Sequence, residues 1–150
     1  MSREIVAVAA DHAGYEMKDQ LKSDLEGLGF EVLDLGTNGA DSVDYPDFGH
    51  AVGKAVTDGR ASKGMVVCGS GIGISIAANR VAGARAALCH DSLTAKLSRQ
   101  HNDANVLALG ERVTGAIQAQ ECVEAFLQTP FAGGRHQKRI NKLSNPQLES

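Results

Sequence analysis

The sequence predicts an α/β protein in which helices cover both faces of a parallel sheet. Apolar runs of strand length alternate with segments of helical periodicity along the 150 residues. Most of these runs are apolar almost throughout, as is typical of parallel strands that are buried on both faces. No repeat or linker interrupts the alternation, so residues 1–150 are expected to form one domain, with a frayed tail from about residue 145.

Five apolar runs are predicted to be strands. They span residues 4–10, 31–35, 63–68, 84–89 and 106–109. Ligands of parallel sheets bind beyond the carboxyl ends of the strands. Three polar clusters occupy such positions and are therefore candidate sites: Asp11 with His12, residues 68–75, and Arg112.

Helical segments separate these strands. They span residues 15–28, 46–58, 73–79, 92–100 and 114–127, followed by a last, basic helix that reaches about residue 143. The apolar stripe of the first helix consists of Met17, Leu21, Leu25 and Leu28.

Residues with strong positional preferences mark the helix ends. Gly29 ends the first helix, and Pro46 suits the first position of the second. Ser92 and Thr114 are predicted to cap the two helices that they precede. The pair of glycines at residues 133–134 separates the last helix from the rest.

Composition excludes several classes of protein. The net charge of −3 gives no general surface for nucleic acid or membrane, and no apolar run has the length of a membrane span. Three cysteines, Cys68, Cys89 and Cys122, form no CxxC pair, which indicates a reduced, cytoplasmic protein. Neither these cysteines nor the histidines show the spacing of a metal site. Cys89, Cys122, His50 and His90 are interpreted as structural.

The glycine-rich segment after the third strand carries the strongest chemical signal. An apolar run ends at Cys68, and Gly69, Gly71 and Gly73 lead from it into a helix. Free N–H groups at a helix N-terminus attract anions and favour ionisation of a nearby thiol. The segment therefore combines a candidate base or nucleophile with a cradle for negative charge. The alternative is a tight turn with a buried structural cysteine.

This segment is not a nucleotide-binding motif. A GxGxxG fingerprint would need glycine at position 74 or 76, and both positions are isoleucine, Ile74 and Ile76. No GxxxxGK[ST] sequence occurs either, so a P-loop is excluded.

The other polar clusters each allow two interpretations. Asp11 and His12 could be an acid–base or hydroxyl-binding pair, or a helix N-cap and a loop residue. Arg135 and Arg139 are neighbours on one helical face, where an anion would relieve their repulsion. They could equally belong to a solvated basic face with Lys138 and Lys142.

His101 and Asn102 precede a strand and so belong to the amino edge of the sheet, whereas Cys68 belongs to the carboxyl edge. A strand of about five residues separates the two edges by roughly 17 Å. Either His101 is a structural loop residue, or the site forms between two subunits, as in a symmetric dimer.

Taken together, the motifs resemble the type B ribose-5-phosphate isomerases, within the wider group of aldose–ketose isomerases that act on ribose, allose or galactose phosphates. The matching segments are ADHAG at 10–14, DYP at 44–46, CGSGIGISIAAN at 68–79, LSRQHNDANV at 97–106 and GGRHQ at 133–137. The resemblance implies a Rossmann-like, three-layer α/β/α sandwich with a five-stranded parallel sheet. It also implies a homodimer, or a tetramer, with sites shared between subunits, and a place in pentose phosphate metabolism.

The resemblance assigns a role to each candidate residue and requires no metal or cofactor. His101 would donate a proton for opening of the furanose ring. Cys68 would then move a proton from C2 to C1 of a sugar phosphate through a cis-enediolate, and Ser70 would assist the proton transfer between the oxygens. The remaining substrate-binding residues would be Asp11, His12, Gly69, Gly71, Ile72, Gly73 and Asn102, with Arg112, Arg135 and Arg139 on the phosphate.

Some relatives lack the cysteine and use a glutamate at the position of Ser75, so this chain is similar to the cysteine kind. Tyr45 matches a position near the sugar but could simply pack at a helix start. Two other functions stay open: isomerisation of allose 6-phosphate or another hexose phosphate, and a non-catalytic module that binds sugar phosphate.

Overall fold

The computed structural model describes residues 3–148 and confirms the predicted α/β fold, a five-stranded parallel sheet with helices on both faces. The strands are β1 (Ile5–Ala10), β2 (Glu31–Asp34), β3 (Lys63–Cys68), β4 (Ala86–Leu88) and β5 (Val106–Gly110). The helices are α1 (Tyr15–Gly27), α2 (Tyr45–Thr57), α3 (Ile72–Asn79), α4 (Ser92–Asn102), α5 (Ala116–Gln128) and α6 (His136–Ser144).

The strand order is β2-β1-β3-β5-β4, with β3 at the centre. The register aligns the carboxyl ends of the three inner strands, since Ala10 pairs with Val67 and Cys68 pairs with Gly110. The segments that follow β1, β3 and β5 therefore emerge side by side at one edge of the sheet.

The two faces of the sheet carry side chains of different size. Val, Met and Leu side chains of β1, β3 and β5 pack against α1, α4 and α5. The opposite face is lined partly by alanines and packs against α2 and α3. Gly49 lets α2 approach α3, because a Cβ there would lie 2.6 Å from Ala77 Cβ. Gly64 of β3 lets α2 approach the sheet, because a Cβ there would lie 2.3 Å from Val52 Cγ1.

β4 is shorter than predicted because it is an edge strand that pairs only with β5. Its outer side is covered by the side-chain amide of Asn79. The Asn79 Nδ2 donates to Ala86 O at 3.0 Å, and Ala86 N donates to Asn79 Oδ1 at 2.7 Å. This pairing satisfies backbone groups that an edge strand leaves open.

Three predictions at helix surfaces and ends are wrong. Leu28 does not continue the apolar stripe of α1, because it follows the helix and is 44% exposed. Asp91, not Ser92, caps α4: its Oδ1 accepts the N–H of Thr94 at 2.7 Å. Thr114 does not cap α5, which begins at Ala116, and its Oγ1 is buried with no hydrogen-bond partner among the described residues.

The end of α4 also differs from the prediction. α4 extends two residues further than predicted, so His101 and Asn102 form its last turn instead of following it.

The frayed tail at residues 145–150 stays a prediction, and residues 149 and 150 lie outside the described part of the chain. Between residues 3 and 148, the helices are all too short or too polar to cross a membrane.

The corrected cap of α4 can be tested by stability. We expect Asp91→Ala to lower the urea midpoint of unfolding at neutral pH, whereas Ser92→Ala leaves it nearly unchanged. The Thr94 N–H lowers the pKa of Asp91 by stabilising its charged form. Its stabilising contribution is therefore present at neutral pH and is lost as the pH falls through the acidic range of that carboxyl. If Ser92→Ala lowered the urea midpoint more than Asp91→Ala, Ser92 would be the cap instead.

Candidate active site

A cavity of about 540 Å³ opens at the carboxyl edge of the sheet, where β1, β3 and β5 end. Its walls contain eight of the residues predicted from sequence: Asp11, His12, Cys68, Gly69, Ser70, Ile72, Gly73 and Arg112. Tyr45 and Val113 also line it. The parallel register thus brings together three segments that are distant in sequence.

Cys68 is the last residue of β3 and is 5% exposed in the cavity. Its Sγ accepts a hydrogen bond from Gly71 N at 3.1 Å. The chain can fold back in this way because Gly71 has a φ of +80°, where a side chain is strained. A Cβ there would also lie 2.5 Å from Leu88 Cδ1 and 2.8 Å from the Leu109 carbonyl carbon.

The N-terminus of α3 presents backbone donors beside this sulfur. Ile72 N donates to Ser70 Oγ at 3.1 Å, and Ser75 N donates to Gly71 O. The N–H groups of Gly73 and Ile74 have no partner within the helix, because they belong to its first turn. The predicted cradle for negative charge is therefore present as backbone geometry next to Cys68.

Tyr45 packs at the start of α2 and also lines the cavity, whereas a position near the sugar stays a prediction. A Cβ on Gly73 would lie 2.6 Å from Tyr45 Cε1. The absence of a side chain at Gly73 thus lets the tyrosine ring lie against the glycine loop, where it forms part of the wall.

Asp11 and His12 combine a structural contact with a position in the cavity. The Asp11 Oδ1 accepts Ala13 N at 2.9 Å, which stabilises the turn before α1, whose N-cap is Gly14. The His12 Nδ1 accepts Val43 N at 3.1 Å, from the loop before α2. Asp11 is therefore not the N-cap itself.

Arg112 lies over the glycine loop. A Cβ on Gly69 would lie 3.4 Å from its Nη1, and its backbone N donates to Gly69 O at 3.0 Å. No carboxylate of residues 3–148 forms an ion pair with it, in contrast to Arg85 and Arg99, which both pair with Asp103. Its guanidinium is therefore available to an anionic ligand.

Sequence reasoning missed Glu111. Its Oε1 accepts Met17 N at 2.7 Å, so a carboxylate from the segment after β5 satisfies an N–H in the first turn of α1. The two residues are far apart in sequence, and no local pattern signals this contact.

Four other predicted site residues, His101, Asn102, Arg135 and Arg139, lie at the end of α4 and the start of α6. His101 and Asn102 form the last turn of α4, and the His101 ring stacks on the His136 ring with centroids 4.6 Å apart. Arg135 and Arg139 flank His136 at the start of α6. Partial desolvation and the positive charges of His101, Arg135 and Arg139 lower the pKa of His136. This basic cluster suits an anion.

The structure thus divides the predicted site into two sets. His101, Arg135 and Arg139 do not line the cavity that contains Cys68, and Asn102 lines a different one of about 390 Å³. β5 separates the end of α4 from the cavity, and its five residues span roughly 17 Å.

Cys89 and Cys122 differ from Cys68 in their surroundings. Both are buried in the core against α4 and α5, and burial raises the pKa of each thiol, that of Cys122 to about 11. Such thiols are unreactive at neutral pH, in agreement with their structural interpretation. Over residues 3–148, no three His, Cys, Asp or Glu side chains converge as a metal site would require.

Comparison with known proteins identifies the same family. The family model described as Ribose/Galactose Isomerase matches residues 6–143. A putative sugar phosphate isomerase of Bacillus subtilis is 47% identical over 141 residues, with 93% of this chain and 95% of the relative covered. Ribose-5-phosphate isomerase B of Escherichia coli is 44% identical over 139 residues, with 93% of each covered.

Solved structures agree with the fold. Ribose-5-phosphate isomerase B of Clostridium thermocellum has a TM-score of 0.94 and 49% identity, over 95% of this chain and 97% of its own. The type B ribose 5-phosphate isomerase of Trypanosoma brucei has a TM-score of 0.94 and 45% identity, over 97% and 100% of the two chains.

The geometry of the glycine loop predicts a difference between two glycines, Gly71 and Gly59, that have nearly the same φ. Gly59 also has a φ near +80°, but nothing lies within 4 Å of a Cβ built on it. We expect Gly59→Ala to lower the free energy of unfolding by about 1 kcal/mol. Gly71→Ala adds a clash and should cost about 3 kcal/mol in urea unfolding. Equal losses would show that the loop has room for a side chain.

Proposed function

We propose a reaction for this chain from one premise: it belongs to the Ribose/Galactose Isomerase family. The chain is accordingly an aldose–ketose isomerase, and we propose that it interconverts D-ribose 5-phosphate and D-ribulose 5-phosphate. The observation that carries the proposal is the position of Cys68, at the end of β3, with a backbone donor on its sulfur and the N-terminus of α3 beside it.

Cys68 acts as the base in this mechanism. Its thiolate removes the proton from C2 of the open-chain aldose, and the C–H electrons form the C1–C2 double bond of a cis-enediolate. The same thiol returns the proton to C1, so the reaction needs no external oxidant or reductant. Negative charge on the intermediate faces the N–H groups of Gly73 and Ile74, which serve as an oxyanion hole.

In this mechanism Ser70 moves the hydroxyl proton. Its Oγ accepts the N–H of Ile72, and within residues 3–148 its O–H donates to no other group, so it can donate to a substrate oxygen. This supports the transfer of a proton between O1 and O2 during the isomerisation.

Ser75 supports the choice of Cys68 as the base. The Ser75 hydroxyl donates to Ile72 O at 2.7 Å, and the residue is 9% exposed. A buried hydroxyl that is committed to a backbone carbonyl cannot replace the glutamate that some family members carry at this position. Of the two positions at which family members carry the base, only Cys68 can act as one in this chain.

The second half of the site comes from another copy of the chain. We propose a homodimer in which His101, Asn102, Arg135 and Arg139 of one subunit complete the cavity of the other. Five large apolar side chains are exposed in the single chain: Ile72, Ile76, Leu93, Val113 and Ile117. Because Ile72 and Val113 also line the cavity, a subunit that covers them would reach the substrate.

In the assembled site, His101 donates the proton that opens the furanose ring, while Asp11, His12 and Asn102 hold hydroxyl groups. Arg112, Arg135 and Arg139 bind the phosphate, a role that suits guanidinium groups with no carboxylate partner among residues 3–148. We further propose that the enzyme acts in the cytoplasm, in pentose phosphate metabolism, without metal or cofactor.

Two alternatives remain for the experiments to decide. Several relatives are named sugar phosphate isomerases with no sugar specified, so allose 6-phosphate or another hexose phosphate is the second candidate substrate. A non-catalytic module would bind sugar phosphate without turnover, and binding would survive substitution of Cys68.

The first test is turnover of ribose 5-phosphate in the presence of EDTA. We expect wild-type turnover, and a loss of about 10²–10⁴-fold in kcat for Cys68→Ala, because a positioned base contributes that much. Cys122→Ala removes a buried thiol outside the cavity and should retain kcat. Equal turnover in wild type and Cys68→Ala would remove Cys68 as the base. No turnover in wild type would exclude ribose 5-phosphate and make allose 6-phosphate the next substrate to assay.

The shared site is tested by mixing two inactive variants. Cys68→Ala and His101→Ala are each expected to be inactive as homodimers. Random exchange of subunits makes half of the dimers mixed, and each mixed dimer has one intact site, so activity should recover to about a quarter of the wild-type value. Recovery is measured after co-refolding the variants from urea. No recovery, with mixed dimers confirmed by mass, would place both residues in one subunit's site.

A further inference from the structure

The loop between β2 and α2, residues 35–44, is attached to two side chains outside it, those of Lys18 and His12. We propose that this loop is a positioning element, which Lys18 anchors and which fixes His12 as the tautomer protonated on Nε2. The part that concerns substrate rests on the proposed function, whereas the tautomer does not.

The first attachment point is the ammonium group of Lys18. Although Lys18 is charged, it is only 1% exposed. Its Nζ donates to Asp34 Oδ1 at 2.8 Å, to Asp34 Oδ2 at 3.1 Å and to Asn38 Oδ1 at 2.6 Å. The ammonium thus connects α1 with the end of β2 and with the loop.

The contacts around Lys18 favour the charged form of Asp34. Burial by itself raises the pKa of Asp34, but hydrogen bonds from Lys18 and from Gly36 N outweigh it, so the pKa is lowered. Lys22 adds a second ammonium 3.3 Å from Asp34 Oδ2. Desolvation makes a buried ion pair a poor source of stability compared with apolar side chains. The contact with Asn38 gives this pair a second role, the placement of the loop.

The second attachment point is His12. Val43 N donates to its Nδ1 at 3.1 Å, and a backbone N–H can only donate. Nδ1 must therefore carry the lone pair, and the proton of the neutral imidazole is on Nε2. Since His12 lines the cavity, Nε2–H is the group that it offers to a ligand. A neutral N–H donor suits a hydroxyl or phosphate oxygen.

The two attachment points act on the same short segment. The loop begins beside β1, where Ala10 N donates to Gly36 O at 2.8 Å and Thr37 N donates to Ala10 O at 2.7 Å. Only residues 39–42 separate Asn38 from Val43. Release of Asn38 would therefore loosen the segment that brings the Val43 N–H to His12.

The test compares Asn38→Ala with Ser42→Ala and Asn38→Asp. Asn38 is exposed, so water can take its place at Lys18 and the Lys18–Asp34 pair stays intact. Ser42 is an exposed residue of the same loop that makes no side-chain hydrogen bond within residues 3–148, and its substitution is the control. Asn38→Asp keeps an acceptor for the ammonium and should behave as wild type.

The tautomer is read directly from nitrogen-15 NMR of the histidine rings at pH 8, with His12 assigned by its absence in His12→Gln. We expect an Nε2–H imidazole in wild type and Ser42→Ala, and a mixture of tautomers in Asn38→Ala. A proton on Nδ1 of wild-type His12 would overturn the assignment. A spectrum of Asn38→Ala identical to that of wild type would remove Lys18 as the anchor.

Kinetics with ribose 5-phosphate give a second readout. We expect Asn38→Ala to raise KM by about 3–10-fold with little change in kcat, the loss of one hydrogen bond to bound substrate. His12→Gln, which places an amide near Nε2, should retain more kcat/KM than His12→Asn, which places one near Nδ1. The reverse order would contradict Nε2–H as the donor. Because NMR does not depend on turnover, failure of the proposed reaction is distinguishable from failure of this inference.

Discussion

The candidate site depends on the parallel pairing of β3 with β1 and β5. That pairing sets Ala10 beside Val67 and Cys68 beside Gly110, so three segments distant in sequence leave the sheet at one edge. An antiparallel β5 would bring Arg112 to the opposite edge. Cys68, His12 and Arg112 meet because of backbone register, and local contacts then adjust their positions.

Close packing at the glycines completes the arrangement. Glycines 14, 71, 73 and 110 each lie where a Cβ would approach another part of the chain to within 2.4–2.6 Å. At Gly14 and Gly110 the obstacle is backbone, from β3 and from Ser70. The loops of the cavity therefore lie in direct contact with neighbouring backbone and side chains, and this contact holds the Gly71 N–H against the sulfur of Cys68.

Hydrophobic periodicity in the sequence predicts the order of strands and helices. It gives no information on contacts between side chains that are distant in sequence. Strand β3 was predicted with its exact limits because its apolar run ends abruptly at Cys68 and glycine. The cap of α4 was misplaced because Asp91 and Ser92 are both good caps and adjacent. The contacts from Glu111 to Met17 and from Lys18 to Asn38 have no signal at all, since a buried lysine or a distant carboxylate follows no spacing rule.

The separation of the site into two sets is a consequence of the fold. In a parallel α/β sheet, residues that follow a strand and residues that follow a helix lie at opposite edges, and the strand length keeps them apart. Cys68 ends a strand and His101 ends a helix, so a single chain keeps these two predicted site residues at opposite edges of the sheet. A two-fold axis removes the difficulty, because it sets the helix end of one subunit against the strand end of its partner and makes two equal sites. In the proposed dimer, association thus supplies catalytic groups that folding alone cannot bring together.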